Sequence, residues 1–296
     1  DGIEKVQEYD AIFLGAVGDP RVPDHISLWG LLIPLRRMMR QWVNIRPVRL
    51  MPGVPCPLKD RGPEDVDFVV VRENSEGEYS EIGGRLFSDT EREVVVQETL
   101  FSKTGVDRIL RYAFGLARQR RDRHVTSATK SNGIRYTMPF WDERFMAISK
   151  EYSDICTDQY HIDILSAHFV MHPDWFDVVV GSNLFGDILS DLGPAVAGGI
   201  GIAPSANLNP ERQYPSMFEP VHGSAPDIAG KGVANPIATL WCVQMMLDFL
   251  GEQKAADDLM KAIEAVTASG FLTADLGGTV NTVDFTDRVI VEIEGP

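Results

Sequence analysis

Short apolar runs alternate with longer stretches of helical spacing along almost the whole chain, and this alternation constrains the fold more than any other feature. Ala11–Ala16 (AIFLGA), Val66–Arg72 (VDFVVVR), Glu93–Gln97, His124–Ala128 and Phe176–Gly181 (FDVVVG) read as strands. Trp29–Trp42, Thr104–Ala117, Pro139–Tyr152, a segment from about Phe185, Pro236–Leu250 and Ala255–Ala268 read as helices. Runs such as FVVV are apolar at every position, as expected of strands covered on both faces, and strands separated by helices pair in parallel. The expected class is α/β with a mixed, mostly parallel sheet. Between Ser75 and Ser102 the pattern changes: Gly83-Gly84 punctuates two short β-like stretches, which suggests an antiparallel arm. A GxGxxG fingerprint is missing after the first strand. The glycines at 198–201 lead into Ala203-Pro204, where a phosphate-binding helix would have to begin, so an ordinary Rossmann fold is excluded.

The 296 residues carry 28 Lys plus Arg against 43 Asp plus Glu, a formal charge of −15. Such a chain lacks the basic footprint needed for nucleic acid or an anionic membrane surface, so no nucleic-acid and no membrane partner is expected. An anionic ligand would need a local cluster of cations. Cys56, Cys156 and Cys242 are far apart and form neither a disulfide framework nor a zinc ribbon, which fits a reducing, cytoplasmic compartment. No apolar run reaches the roughly 20 residues needed to span a bilayer. The chain opens on Asp1-Gly2 rather than Met, which suggests a missing beginning.

Several clusters could carry chemistry. Asp187 and Asp191 follow the strand at 176–181 and lie four residues apart, hence on one helical face. Two carboxylates at the carboxyl end of a parallel strand suit Mg²⁺ or Mn²⁺; the plain alternative is a solvated helix face. Arg36, Arg46 and Arg72 are candidates for carboxylate recognition, Arg72 because it ends a strand. Lys130 sits in the polar turn after a short strand, where it is either a general base or a surface lysine. Asp163, between Ile162 and Ile164, reads as the wet face of a strand or as a buried, paired acid. The loop from Glu219 to Pro236 is rich in Gly, Ala and Pro. Its Asp227 could accept hydrogen bonds from a ribose.

Together these segments resemble the metal-dependent β-decarboxylating dehydrogenases, the family of the isocitrate, isopropylmalate, tartrate and D-malate enzymes. NIRP (44–47), VRENSEGEY (71–79), SATKSNG (127–133), NLFGDILSDLGP (183–194) and FEPVHGSAPDIAGKGVANP (218–236) occur in the family's order. The resemblance implies an isopropylmalate dehydrogenase-like fold of two domains. Residues 1–41 and 198–296 would form the NAD-binding domain, and 42–197 would carry the arm, the dimer interface and the metal carboxylates. It implies that Arg36, Arg46 and Arg72 clamp the substrate, and that Tyr79 and Lys130 form an acid–base pair with Asp163 beside them. Asp163, Asp187 and Asp191 would bind the metal. His222, Gly223, Ser224, Ala225, Asp227 and Asn235 would hold the adenosine part of NAD. Lys130 and Asp163 would reach into a partner's site, making the enzyme a homodimer with shared active sites. A requirement for a monovalent cation such as K⁺ stays open.

Where the family reads the substrate's C3 substituent, this chain has Trp29 and Leu32, and a bulky indole would leave room only for a small dicarboxylate. The tartrate/D-malate branch is the closest in pattern, with isopropylmalate or isocitrate oxidation as the alternative and a non-catalytic homologue as a reading of a different class. Members of the family begin with further strand–helix units, so about sixty residues are expected to be missing at the start.

Overall fold

A computed structural model describes residues 2–295. In chain order, α1 (Gly2–Val6), β1 (Ala11–Phe13) and α2 (Asp24–Ser27) lead through a π-helical turn, Leu28–Leu32, into α3 (Ile33–Met38). Strands β2 (Val43–Arg49) and β3 (Asp67–Glu73) precede the arm strands β4 (Gly83–Leu86) and β5 (Val94–Gln97). Then follow α4 (Lys103–Ala117), β6 (His124–Thr129), α5 (Thr137–Ser149), β7 (Cys156–His161), α6 (Ile162–Met171), β8 (Val178–Gly181) and α7 (Asn183–Val196). The chain continues through β9 (Pro204–Leu208), β10 (Ser216–Pro220), α8 (Ile237–Leu250), α9 (Gln253–Ala268) and α10 (Thr282–Glu294).

Eight strands form one sheet in the order β1-β10-β9-β2-β3-β8-β6-β7. Both flanks are parallel, at β1/β10 and across β3/β8/β6/β7, and the middle, β10/β9/β2/β3, is antiparallel. The mixed, mostly parallel sheet expected from the alternation is therefore present. The apolar runs of β3 and β8 lie side by side, and Val70, Val71, Val178, Val179 and Val180 are fully buried between helical layers. On one face, α4 and α5 stack Phe114 on Phe145 with ring centroids 5.6 Å apart, while α8 packs against β9 and β10.

Four strands escaped the sequence reading. In β2, Pro47 argues against a central strand because it has no N–H to donate. The conflict resolves in the register: β9 pairs with β2 only at Val43–Ile45, so Pro47 faces β3 alone. Strand β10 contains Glu219, where the sequence suggested the start of a loop. Strands β7 and β9 carry polar residues at positions that an apolar pattern would not single out. Asp163 is a correction. It stands in the first turn of α6, because Leu165 and Phe169 continue at helical spacing as the buried positions, and an acid at a helix N-terminus is favoured by the backbone dipole.

The arm is as expected, a two-stranded hairpin pairing Gly83 with Gln97 and Leu86 with Val94. Its side chains stand in solvent, Leu86, Phe87, Val94, Val95 and Val96 among them.

Candidate active site

Helix α7 begins at the carboxyl end of β8. Ser182 caps it by accepting from the Phe185 N–H. The helix then lies tightly across β2 and β3. A Cβ on Gly186 would stand 2.5 Å from the Arg72 Cβ, and one on Gly193 would stand 2.3 Å from Val48 Cγ2. Only glycine allows this approach, which brings Asp187 over Arg72 and Arg46.

The Asp187 carboxylate is the hub. Its Oδ1 pairs with Arg72 Nη1 and lies 3.5 Å from Arg46 Nη1, and its Oδ2 accepts a 2.8 Å hydrogen bond from the Tyr79 hydroxyl. Arg72 is oriented from its other side by Asn183 Oδ1, which accepts from Nε at 3.1 Å and from Nη2 at 2.7 Å. Arg46 donates to Ser190 Oγ at 2.6 Å and reaches Asp191 Oδ1 at 3.4 Å. Arg36, from α3, is held by Glu219 Oε1 at 2.8 Å.

These groups meet at a cavity of about 230 Å³. Arg36, Arg46, Arg72, Tyr79, Asp187 and Glu219 supply its polar wall, while Leu28, Leu32 and Ile33 supply an apolar one. His222 and Gly223 reach its rim. The Nε donors of Arg36 and Arg46 are sealed within the protein behind this wall, both without a hydrogen-bond partner. Three guanidinium groups in one cavity wall suit an anion with several oxygens.

The electrostatics agree. Burial pushes the Asp187 carboxyl upward, but Arg72 and Arg46, helped by the Tyr79 hydrogen bond, hold it below the usual carboxylate range. Asp191 moves the other way, raised chiefly by burial. Burial and the hydrogen bond to Asp187 raise the Tyr79 phenol, which therefore stays protonated at neutral pH. Burial draws Arg72 down to about 10, and it remains a cation.

Other expected site residues lie outside this wall. Trp29 packs beneath the Arg37 guanidinium, 5.4 Å from its ring centroid, while its neighbour Leu32 lines the cavity. Lys130 donates to Asp163 Oδ1 at 2.6 Å, and this exposed pair does not reach the cavity wall. Among the described residues no group of three His, Cys, Asp or Glu side chains comes together to hold a metal. One chain thus offers two carboxylates, Asp187 and Asp191, on successive turns of α7. They fit a divalent cation as part of a larger set of oxygen ligands.

In the loop after β10, Ser224 Oγ donates to the Gly18 carbonyl at 2.7 Å, and Ala225 adopts a positive φ of 43°. His222 keeps Nε2 buried and unpartnered. Asp227 is exposed. Asn235 accepts from the Ile237 N–H at 2.9 Å at the start of α8 and donates to Asp275 at 2.9 Å. Sequence reasoning gave no role to Asn183, Ser190 or Glu219. The signal for Glu219 was an acid directly after the apolar pair Met217-Phe218 and before Pro220.

The isocitrate/isopropylmalate dehydrogenase family model matches residues 1–289. A tartrate dehydrogenase/decarboxylase of Pseudomonas putida is 61% identical over 95% of this chain and 79% of its own length. The D-malate dehydrogenase (decarboxylating) of Escherichia coli K12 is 60% identical over 98% and 82%. The crystal structure of isocitrate dehydrogenase from Methylococcus capsulatus superposes with a TM-score of 0.90 at 34% identity, covering 99% of this chain and 84% of that one.

Proposed function

The chain belongs to the isocitrate/isopropylmalate dehydrogenase family, and from that premise we propose that it oxidises and β-decarboxylates a small C4 2-hydroxy diacid, D-malate or tartrate, with NAD and a divalent cation. The observation that carries this reading is the convergence of three arginines, Arg46 and Arg72 buried and Arg36 half-buried, with Tyr79 and Asp187 on one small cavity. The two relatives named for tartrate and D-malate support the choice of substrate.

In this reading Arg36, Arg46 and Arg72 bind and orient the substrate carboxylates. Asp187 and Asp191 hold the cation, Mg²⁺ or Mn²⁺, with Asp163 from a second copy. Lewis acidity is what a cation there supplies, lowering the pKa of the substrate hydroxyl and offsetting the charge left as CO₂ departs. Lys130, set by Asp163, takes the hydroxyl proton, and Tyr79 returns a proton to C3. A phenol held protonated beside Asp187 suits that task.

The Lys130–Asp163 pair stands off its own chain's cavity, which supports a homodimer with sites shared between protomers. Residues 1–41 and 198–296 form the cofactor half, with His222 to Asn235 around the adenosine. Asp227 favours a ribose 2′-hydroxyl and repels a 2′-phosphate, hence NAD over NADP. Residues 42–197 form the metal half. Leu32 and Trp29 limit the C3 substituent, the latter through Arg37.

Nucleotide reduction assayed with D-malate, tartrate, isopropylmalate and isocitrate, with NAD or NADP, tests this reading. Turnover of D-malate or tartrate with NAD is expected. A preference for isopropylmalate or isocitrate would overturn the substrate assignment and leave the family in place.

A further inference from the structure

A row of buried polar side chains crosses the sheet from the cavity wall. Glu219 on β10 pairs with Arg36 and also accepts from Asn207 Nδ2 of β9 at 2.8 Å. The Asn207 Oδ1 accepts two amide donors, Asn44 Nδ2 of β2 and Asn74 Nδ2 just beyond β3, each at 3.0 Å. Asn44 and Asn207 sit directly opposite each other in the ladder.

This arrangement has one consistent orientation. Two donors converge on Oδ1, so Nδ2 must face the carboxylate; a turned amide would set donors against donors and an oxygen against Glu219. Asn44, Asn74, Asn207 and Glu219 are all more than nine-tenths buried, and asparagine is a poor strand former. Apolar residues would suit the interior of a sheet better. The row ends on Arg36, whose only side-chain hydrogen bond among the described residues is the one to Glu219, and whose Nε lies buried and unpartnered.

We infer that Glu219, fixed by Asn207, is a positioning residue that holds Arg36 at the angle needed to read the second carboxylate of a diacid. The inference rests on the functional reading above. It runs against simple electrostatics, because Glu219 also cancels the charge of Arg36. Were neutralisation its whole effect, removing the carboxylate would tighten the binding of any anion.

The sign of the effect therefore decides the matter. In Glu219→Gln, KM for D-malate should rise about tenfold with kcat changed less than about threefold. Asn207→Leu, which changes no charge, should shift KM in the same direction and serves where the first variant folds poorly. In an Arg36→Gln background, Glu219→Gln should add nothing, since its action passes through Arg36. An unchanged or lower KM in Glu219→Gln, or additive effects in the double variant, would overturn the inference. Wild-type protein that neither binds nor turns over any C4 hydroxy diacid would remove the functional reading itself, and the inference with it.

Discussion

In the proposed function Asp187 has two jobs that compete. In the chain alone it already satisfies Arg72 and Arg46, the cations best placed to receive an anionic substrate. A cation that drew Asp187 toward itself would release those arginines, so cation and diacid should bind cooperatively. Chelator-treated Asp187→Asn is then expected to bind D-malate more tightly than chelator-treated wild type in calorimetry; equal or weaker binding would contradict the pairing. The same residue sets a pH dependence. Its folded-state pKa is lowered, so its stabilisation is complete above the ordinary carboxyl value and is lost as pH falls through the folded one. In urea unfolding with chelator, the stability gap between wild type and Asp187→Asn should begin to narrow below about pH 4 and keep shrinking as pH falls further. Removing the other partner is also costly. Arg72→Met leaves the Asn183 Oδ1 without its donor and Asp187, a third exposed, with Arg46 and Tyr79 alone, and should destabilise by about 1–3 kcal/mol.

Helix α7 is the element that makes these pairings, and two glycines let it do so. Gly186→Ala must push the helix off β3, because its Cβ would overlap Arg72. A loss of about 1–3 kcal/mol in denaturant unfolding is expected, together with weaker diacid binding as Asp187 moves. Normal stability and normal binding would show that the contact relaxes freely. Much of this element was legible in advance: FDVVVG announced a buried strand, and the i, i+4 spacing put Asp187 and Asp191 on one face. The partners on α7, Asn183 and Ser190, were not legible, because a hydrogen bond to an arginine 111 or 144 residues away leaves no periodic trace. Strand β2 was hidden by Pro47, whose tolerance depends on where β9 stops pairing. Asp163 was placed on a strand because Ile162 and Ile164 alternate around it; the packing of Leu165 and Phe169 settled it as helix.

At the scale of the whole molecule, the arm and α6 present apolar side chains to solvent. Leu86, Phe87 and Val95 are all more than half exposed, and Ile164 and Met171 are also open. A two-stranded hairpin with no covered face is marginal by itself, so a second copy is the natural cover. Val95→Glu should shift the protein toward monomer in sedimentation, with loss of activity. Sharing of sites has its own test: a Lys130→Ala chain and an Asp187→Asn chain, each inactive alone, should regain activity when co-assembled, because one of the two sites in the hybrid is intact. Continued inactivity of the mixture would place Lys130 in its own chain's site. The overall architecture was readable from the alternation of strands and helices, whereas the antiparallel middle of the sheet was not, because β9 lies in a stretch with no apolar run and β10 runs into the segment read as loop from Glu219.

The most direct test of the account follows the carbon that leaves. β-Decarboxylation of D-malate expels the C4 carboxylate, which becomes β to the ketone once C2 is oxidised. With Mn²⁺ and NAD, D-malate labelled at C4 should release labelled CO₂ in equal amount to the NADH formed, D-malate labelled at C1 should release none, and chelator should abolish both products. NADH formed without loss of the C4 label, or undiminished turnover in chelator, would contradict the account.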